Sequence, residues 1–194
     1  IRPRSMRVII LGSGQGSNCK AILEASASNL LHSAEIVAVC SDVEASGILK
    51  IARNASVQSL FLGPYSLKNK EVDEAWIKEI KSLSPDLIVL AGFMKVLSTQ
   101  FISSFDGKII NLHPSLLPSF QGLDAIQQAW DAGVKITGCT VHWVSPVLDS
   151  GEIIAQSPVR IMQGDTIESV SAKVHAAEHM LLPSVIAQLA MQLN

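Results

Sequence analysis

The sequence has no basic excess. Fifteen lysines and arginines stand against seventeen aspartates and glutamates, a formal net charge of -2. No strongly positive face is implied, which argues against nucleic acid as the main partner. An anionic small molecule would need a local seat rather than a global field. Cysteine is scarce too. Cys19, Cys40 and Cys139 are odd in number, far apart and without a Cys-x-x-Cys pair. That excludes a disulfide framework and a thiolate zinc site, and points to free thiols in a reducing compartment. No apolar run is long enough to span a bilayer. No Gly-x-Ser-x-Gly elbow occurs, so a serine hydrolase has no support.

What is present is a folded chain of 194 residues, 48% hydrophobic and only 16% charged. That length suggests one domain with a real core. Residues 1–5 precede Met6 and carry two arginines. They read as an added leader or the remnant of a longer precursor and stay outside the fold argument. Short apolar runs at 7–12, 36–41, 87–92 and 108–113 read as buried strands, with a weaker one at 58–62. Amphipathic stretches separate them. One, through Val72, Trp76, Ile80 and Leu83, ends at Ser84-Pro85. An earlier helix carries Ile48, Ile51 and Ala52, and a later one carries Ile126, Ala129 and Trp130 and stops at Gly133. This order implies an α/β fold, an open and mostly parallel twisted sheet with helices on both faces. Residues 137–144 and 151–159 read as two late strands forming an antiparallel hairpin. Asp165 then reads as a helix N-cap, with Glu168 three residues on. Pro183 should kink that last helix or start another.

Two places carry chemistry. The first strand runs into Gly12-Ser13-Gly14-Gln15-Gly16-Ser17-Asn18, then a helix. Glycines let backbone N–H groups approach an anion, and a helix N-terminus favours negative charge. The spacing fails the dinucleotide fingerprint at Ser17, and no phosphate-loop lysine follows. Asp42, after the second strand, mimics a ribose-binding acid. A single phosphate is the better reading, and a tight turn without a ligand is the alternative. The second place is Asn111 and His113, two apart at a strand end that Pro114 closes. Alternation puts both side chains on one face. Ligands bind at the carboxyl ends of strands in open α/β sheets, and buried amide or imidazole groups need partners. The alternative is a hydrogen-bonded pair that only anchors the next loop. Asp149, alone, reads as a turn residue. Beside His113 its carboxylate would orient and charge the imidazole.

These pieces together resemble the glycinamide ribonucleotide transformylases, a branch of the folate-dependent formyltransferases. The resemblance rests on Gly14-Gln15-Gly16-Ser17-Asn18, Ala91-Gly92-Phe93-Met94 and Asn111-Leu112-His113-Pro114-Ser115-Leu116-Leu117-Pro118. It continues through Gly138-Cys139-Thr140-Val141-His142 and Asp149-Ser150-Gly151, and covers nearly everything from Met6, so residues 6–194 are expected to form a single formyltransferase domain. It implies a formyltransferase-like Rossmann variant. It also implies formyl transfer from 10-formyltetrahydrofolate, as co-substrate, to the amine of glycinamide ribonucleotide in purine synthesis. Asn111, His113 and Asp149 would be catalytic. Gly16, Ser17 and Asn18 would hold the substrate phosphate, and His175 and Glu178 its sugar. Lys70, Met94, Lys95, Val96, Leu97, Val144 and Leu148 would line the folate site. Gln15, Lys70 and Lys95 depart from the family, where Asn, Arg and Arg are common. A lysine lacks the planar fork of arginine. The resemblance further implies a cytoplasmic enzyme, monomeric or homodimeric, with no metal, no nucleic acid and no membrane among its partners.

Three rivals follow. His175-Ala176-Ala177-Glu178-His179 matches an inverted zinc-protease pattern, and a zinc hydrolase would use His175 and His179. No acid follows Glu178 to complete that site. Methionyl-tRNA formyltransferase and formyltetrahydrofolate hydrolase share the Asn-His-Asp chemistry, but they carry an extra domain for which this length leaves no room. A non-catalytic nucleotide-binding module explains the glycine loop and leaves Asn111, His113 and Asp149 without a task.

Overall fold

Strand β1, Met6–Leu11, shows why the sheet is buried on both sides. Its residues alternate between two cores. Val8 and Ile10 pack in one apolar cluster, and Ile9 and Leu11 in another. The computed structural model describes residues 4–147 and 151–193. Among them, seven strands form one sheet in the order β3-β2-β1-β4-β5-β6-β7. After β1 these are β2 (Ala34–Ser41), β3 (Ser59–Phe61), β4 (Leu87–Leu90) and β5 (Ile109–His113), all parallel neighbours. Strands β6 (Ile136–Trp143) and β7 (Ile153–Arg160) continue the sheet antiparallel. The expected mixed α/β architecture and late hairpin are therefore present.

Helices α1 (Ser17–Ala27), α2 (Gly47–Asn54) and α6 (Ile167–Leu193) cover the first face. Cys19 and Ile22, Ile48 and Leu49, and Leu182, Val185 and Ile186 are their contributions to that core. Helices α3 (Lys70–Ser82) and α4 (Thr99–Ser104) cover the other face with Trp76, Ile80, Phe101 and Ile102. Helix α5 (Ala125–Ala132) ends at Gly133, whose φ of 71° is left-handed, as the glycine stop suggested. Helix α4 left no signal in the sequence reading, because six residues are too few to display a period.

Two expectations for α6 need correction. Asp165 is not its N-cap. Thr166 and Ser169 form a reciprocal cap: Ser169 N–H donates to Thr166 Oγ1 at 3.2 Å, and Thr166 N–H to Ser169 Oγ at 2.8 Å. Asp165 instead accepts from the Lys173 ammonium at 2.7 Å and the Met162 N–H at 2.6 Å, which hold its carboxyl down at about 2. Of the two outcomes expected at Pro183, the start of another helix does not occur. It lies buried inside one helix of 27 residues.

The sheet order places a topological switch between β1 and β4. Chain connections leave β1 toward β2 on one side and return at β4 on the other. Open α/β sheets bind ligands at the carboxyl ends of the strands at such a point. Residues 12–16 follow β1 and residues 91–98 follow β4. Asn111 sits one strand over, level with Leu90 in the β4–β5 register.

Candidate active site at the carboxyl ends of the central strands

The glycine loop is held open from behind. Gly16 takes φ of 85° just before the first turn of α1. A Cβ there would lie 2.8 Å from the Ile48 Cα, so α2 approaches as closely as only glycine allows. Ile48 N–H donates to Gly14 O at 3.0 Å. No side-chain oxygen caps the first turn of α1. Its early N–H groups therefore face the crevice with the positive end of the helix dipole. A cavity of about 220 Å³ lies there, lined by Gly14 to Asn18 and by Ala91, Gly92 and Met94. That is below the roughly 300–1,000 Å³ of a whole small-molecule site, so it suits one group such as a phosphate. Ser17 and Asn18 stand at its helix end, as the sequence suggested. A larger groove of about 970 Å³ runs between α1 and α6. Its lining contains neither Asn111 nor His113.

Strand β5 brings Asn111 and His113 to the same end. His113 is buried, and its Nε2 lies 2.8 Å from Phe120 O. A carbonyl only accepts, so Nε2 carries the proton. Ser115 Oγ donates to Ser119 O at 2.6 Å and more weakly to Phe120 O at 3.3 Å. The loop after β5 is thus folded back onto the strand end, and His113 is one of its anchors. Thr140 secures the same loop from β6, accepting from Leu117 N–H and donating to Ser115 O.

The antiparallel register brings a second histidine to Asn111. His142 lies opposite Asn111. Its Nδ1 is 3.0 Å from Trp143 O, which makes that nitrogen the protonated one. In the neutral ring Nε2 then accepts, and Asn111 Nδ2 lies 3.5 Å away. His142 so fixes which way the Asn111 amide faces. The shared face of Asn111 and His113 was legible from alternation. The pairing of Asn111 with His142 depends on register, which single-strand patterns do not contain.

Glu178 enters from α6. It is buried, and the His175 Nδ1 donates to its Oε1 at 2.6 Å. Burial pushes its carboxyl above the ordinary carboxylate range, against the opposing pull of His175, His179 and His113. A raised folded value makes ionisation costly to the fold. The stability from the protonated form is full below the unfolded value of 4.5 and is lost as pH rises through the folded value. Glu178→Gln keeps an acceptor for His175 and removes that loss. Its thermal midpoint should exceed wild type at about pH 8 and match it at about pH 4. A pH-independent difference between the two proteins contradicts this account.

The expected folate segment lies beside the cavity. Met94, Lys95 and Val96 are exposed, with Met94 at 77% and Val96 at 65%. Leu97 is different, because its side chain is committed to the core with Tyr65, Trp76 and Phe101. Val144 packs against that same core. Lys70 begins α3 and pairs loosely with Glu74 at 3.9 Å on the surface. Leu148 and Asp149 lie outside the described residues. The three cysteines are buried free thiols, each pushed up to about 12 by that burial, so none is a ready nucleophile. Among the described residues no three His, Cys, Asp or Glu side chains converge as metal ligands. There, too, no helix is long and apolar enough to cross a membrane.

The family described as formyl transferase matches residues 6–186. The phosphoribosylglycinamide formyltransferase of Bacillus subtilis is 38% identical over 181 residues, which cover 93% of this chain and 92% of that protein. The trifunctional purine biosynthetic protein adenosine-3 of Bos taurus is 41% identical over 189 residues, 96% of this chain. The chain spans only 18% of that relative's length. The crystal structure of phosphoribosylglycinamide formyltransferase from Brucella melitensis superposes with a TM-score of 0.89 at 42% identity, covering 96% of each chain.

Proposed function

Because the chain belongs to the formyl transferase family, we propose that it moves a formyl group from 10-formyltetrahydrofolate to the amine of glycinamide ribonucleotide, a step of purine synthesis. The observation that carries this reading is the meeting of three features at one sheet end: the glycine-loop cavity, the exposed Met94–Val96 segment, and the Asn111–His113 pair. Near-complete mutual coverage with the Bacillus subtilis enzyme supports the same substrates.

The ribonucleotide phosphate occupies the seat at Gly16, Ser17 and Asn18, where helix N–H groups and dipole favour an anion. Glu178 and His175 take the sugar hydroxyls. The folate lies along Met94, Lys95 and Val96, with the backbone of Leu97 and the neighbourhood of Val144 and Leu148. Lys70 stays at the edge, near the acidic folate tail.

The substrate amine is the nucleophile, so no enzyme nucleophile is needed. Attack on the formyl carbon puts negative charge on its oxygen. Asn111 Nδ2 has a second hydrogen beyond the one aimed at His142, and that hydrogen reaches the oxyanion. His113 gives up its Phe120 acceptor and donates to the same oxygen. One oriented donor is worth about 10²–10³ in rate. Collapse breaks the bond from carbon to N10 of the folate. The amine loses one proton and N10 gains one, with Asp149 as relay. Such acid–base assistance adds roughly 10²–10⁴. Holding both substrates in contact contributes further. The products are formylglycinamide ribonucleotide and tetrahydrofolate.

A coupled assay with 10-formyltetrahydrofolate tests the reading, with glycinamide ribonucleotide, water and methionyl-tRNA as rival acceptors. Turnover with the ribonucleotide is expected. Turnover with tRNA or water alone would replace the reading by one of its sister activities.

A further inference from the structure

We propose that Ser13 mechanically couples the two substrate seats, so that filling the phosphate loop tightens the folate segment. The proposal rests on the reading of those seats given above and adds a positioning residue to it. Ser13 is the first residue to depart from the tight end of β1. Its backbone N–H donates to Gly92 O at 3.0 Å. Its hydroxyl accepts the Met94 N–H at 3.0 Å and donates to Asp42 Oδ1 at 2.6 Å. One serine thus ties the glycine loop to the 91–98 segment twice, and ties both to the buried carboxylate that follows β2. Asp42 therefore has a structural use in place of the ribose contact that its position mimics.

The far end of the same segment is anchored as well. Ser98 N–H donates to Tyr65 Oη at 3.1 Å, and Ser98 Oγ to Asp73 Oδ2 at 2.6 Å. Tyr65 donates to the other oxygen of that buried carboxylate at 2.7 Å. Met94, Lys95 and Val96 are thus an exposed span between two fixed points. At the near point the fixing group is Ser13, one residue from the cavity lining. Ordering the glycine loop around a phosphate orders Ser13, and through Met94 N–H the start of the folate span. The second ligand then has less freedom to remove, which is positive coupling without a large movement.

The test compares tetrahydrofolate affinity with and without saturating glycinamide ribonucleotide, a pair that cannot react. In wild type the ribonucleotide should tighten tetrahydrofolate about fivefold, the worth of one ordinary hydrogen bond. Ser13→Ala should bring that ratio to about one, while its affinity for the ribonucleotide alone changes less than about twofold. Ser13→Thr, which keeps the hydroxyl, should restore the ratio. Asp42→Asn, which keeps an acceptor, should retain it. A wild-type ratio in Ser13→Ala, or no coupling in wild type, overturns the proposal. Amide exchange at Met94 separates this outcome from an error in the functional reading. Ribonucleotide should slow that exchange in wild type and leave it unchanged in Ser13→Ala, whether or not a folate binds. Equal slowing in both proteins also overturns the proposal.

Discussion

His113→Ala is expected to lower the turnover of formyl transfer by about a thousandfold, with the fold intact. The size follows from the oxyanion. In the proposed mechanism the imidazole N–H becomes one of two donors to charge that exists only near the transition state, so its loss should fall on kcat more than on substrate affinity. The fold should survive because the acceptor left behind is not orphaned. Phe120 O still has Ser115 Oγ at 3.3 Å. A stability cost of about 1–3 kcal/mol is the ordinary result of removing one partner of a buried hydrogen bond. Asn111→Ala should lose about 10²–10³ in kcat by the same argument.

These variants also decide between catalysis and anchoring, the two readings that the residue pair carries by itself. His113 does anchor the loop after β5 in the structure. If anchoring were its whole task, Ser115→Ala would do comparable damage, because Ser115 ties the same loop at Ser119 and Phe120. Catalysis predicts a loss of less than about tenfold for Ser115→Ala against about a thousandfold for His113→Ala. Steady-state kinetics on purified proteins, with thermal midpoints measured alongside, give the answer. Near-wild-type turnover in His113→Ala would remove the residue from the mechanism.

The second large effect is expected at the phosphate seat. Gly16→Ala should raise the Kd of glycinamide ribonucleotide by at least about tenfold, since a hydrogen bond to a charged phosphate is worth roughly 1.5–3 kcal/mol. Two costs act together. An alanine at φ of 85° is strained in the left-handed region, and its Cβ would stand 2.8 Å from a backbone atom of α2. Backbone cannot swing aside as a flexible side chain can. The loop must shift, and the N–H groups of the first turn move off the phosphate. Tetrahydrofolate affinity measured without the ribonucleotide should change less than the ribonucleotide Kd does, because Ser98 still anchors the far end of the 91–98 segment. Calorimetric titration of each ligand separately checks both halves. An unchanged ribonucleotide Kd would place the phosphate elsewhere.

Much of this site was legible before any coordinates. Each central strand is a short apolar run between turn residues, because a strand buried on both faces must be apolar at every position. Gly12 to Asn18 suggested an anion seat, and at Gly12 and Gly16 the close approach of neighbouring backbone leaves no room for a Cβ. Asn111 and His113 announced themselves by polarity where apolar residues were expected. Boundary detail was less legible. Asp165 and Thr166 are both good capping residues, and only the backbone path of α6 selects Thr166. Pro183 signalled a kink or a new helix start, and it lies buried within one helix, so no new helix starts there.

The amino-acid sequence by itself determined the order of elements, the glycine-rich turn after β1 and the polar Asn-His pair at the end of β5. These follow from local rules: side-chain alternation, glycine backbone freedom, and the need of polar groups for partners. The tertiary structure alone decided that His142 lies opposite Asn111, that Ser13 bridges two loops, and that Glu178 is buried. Each of these depends on strand register or on packing between distant segments. Such contacts are set by the summed fit of whole faces, and no short stretch of sequence contains that sum.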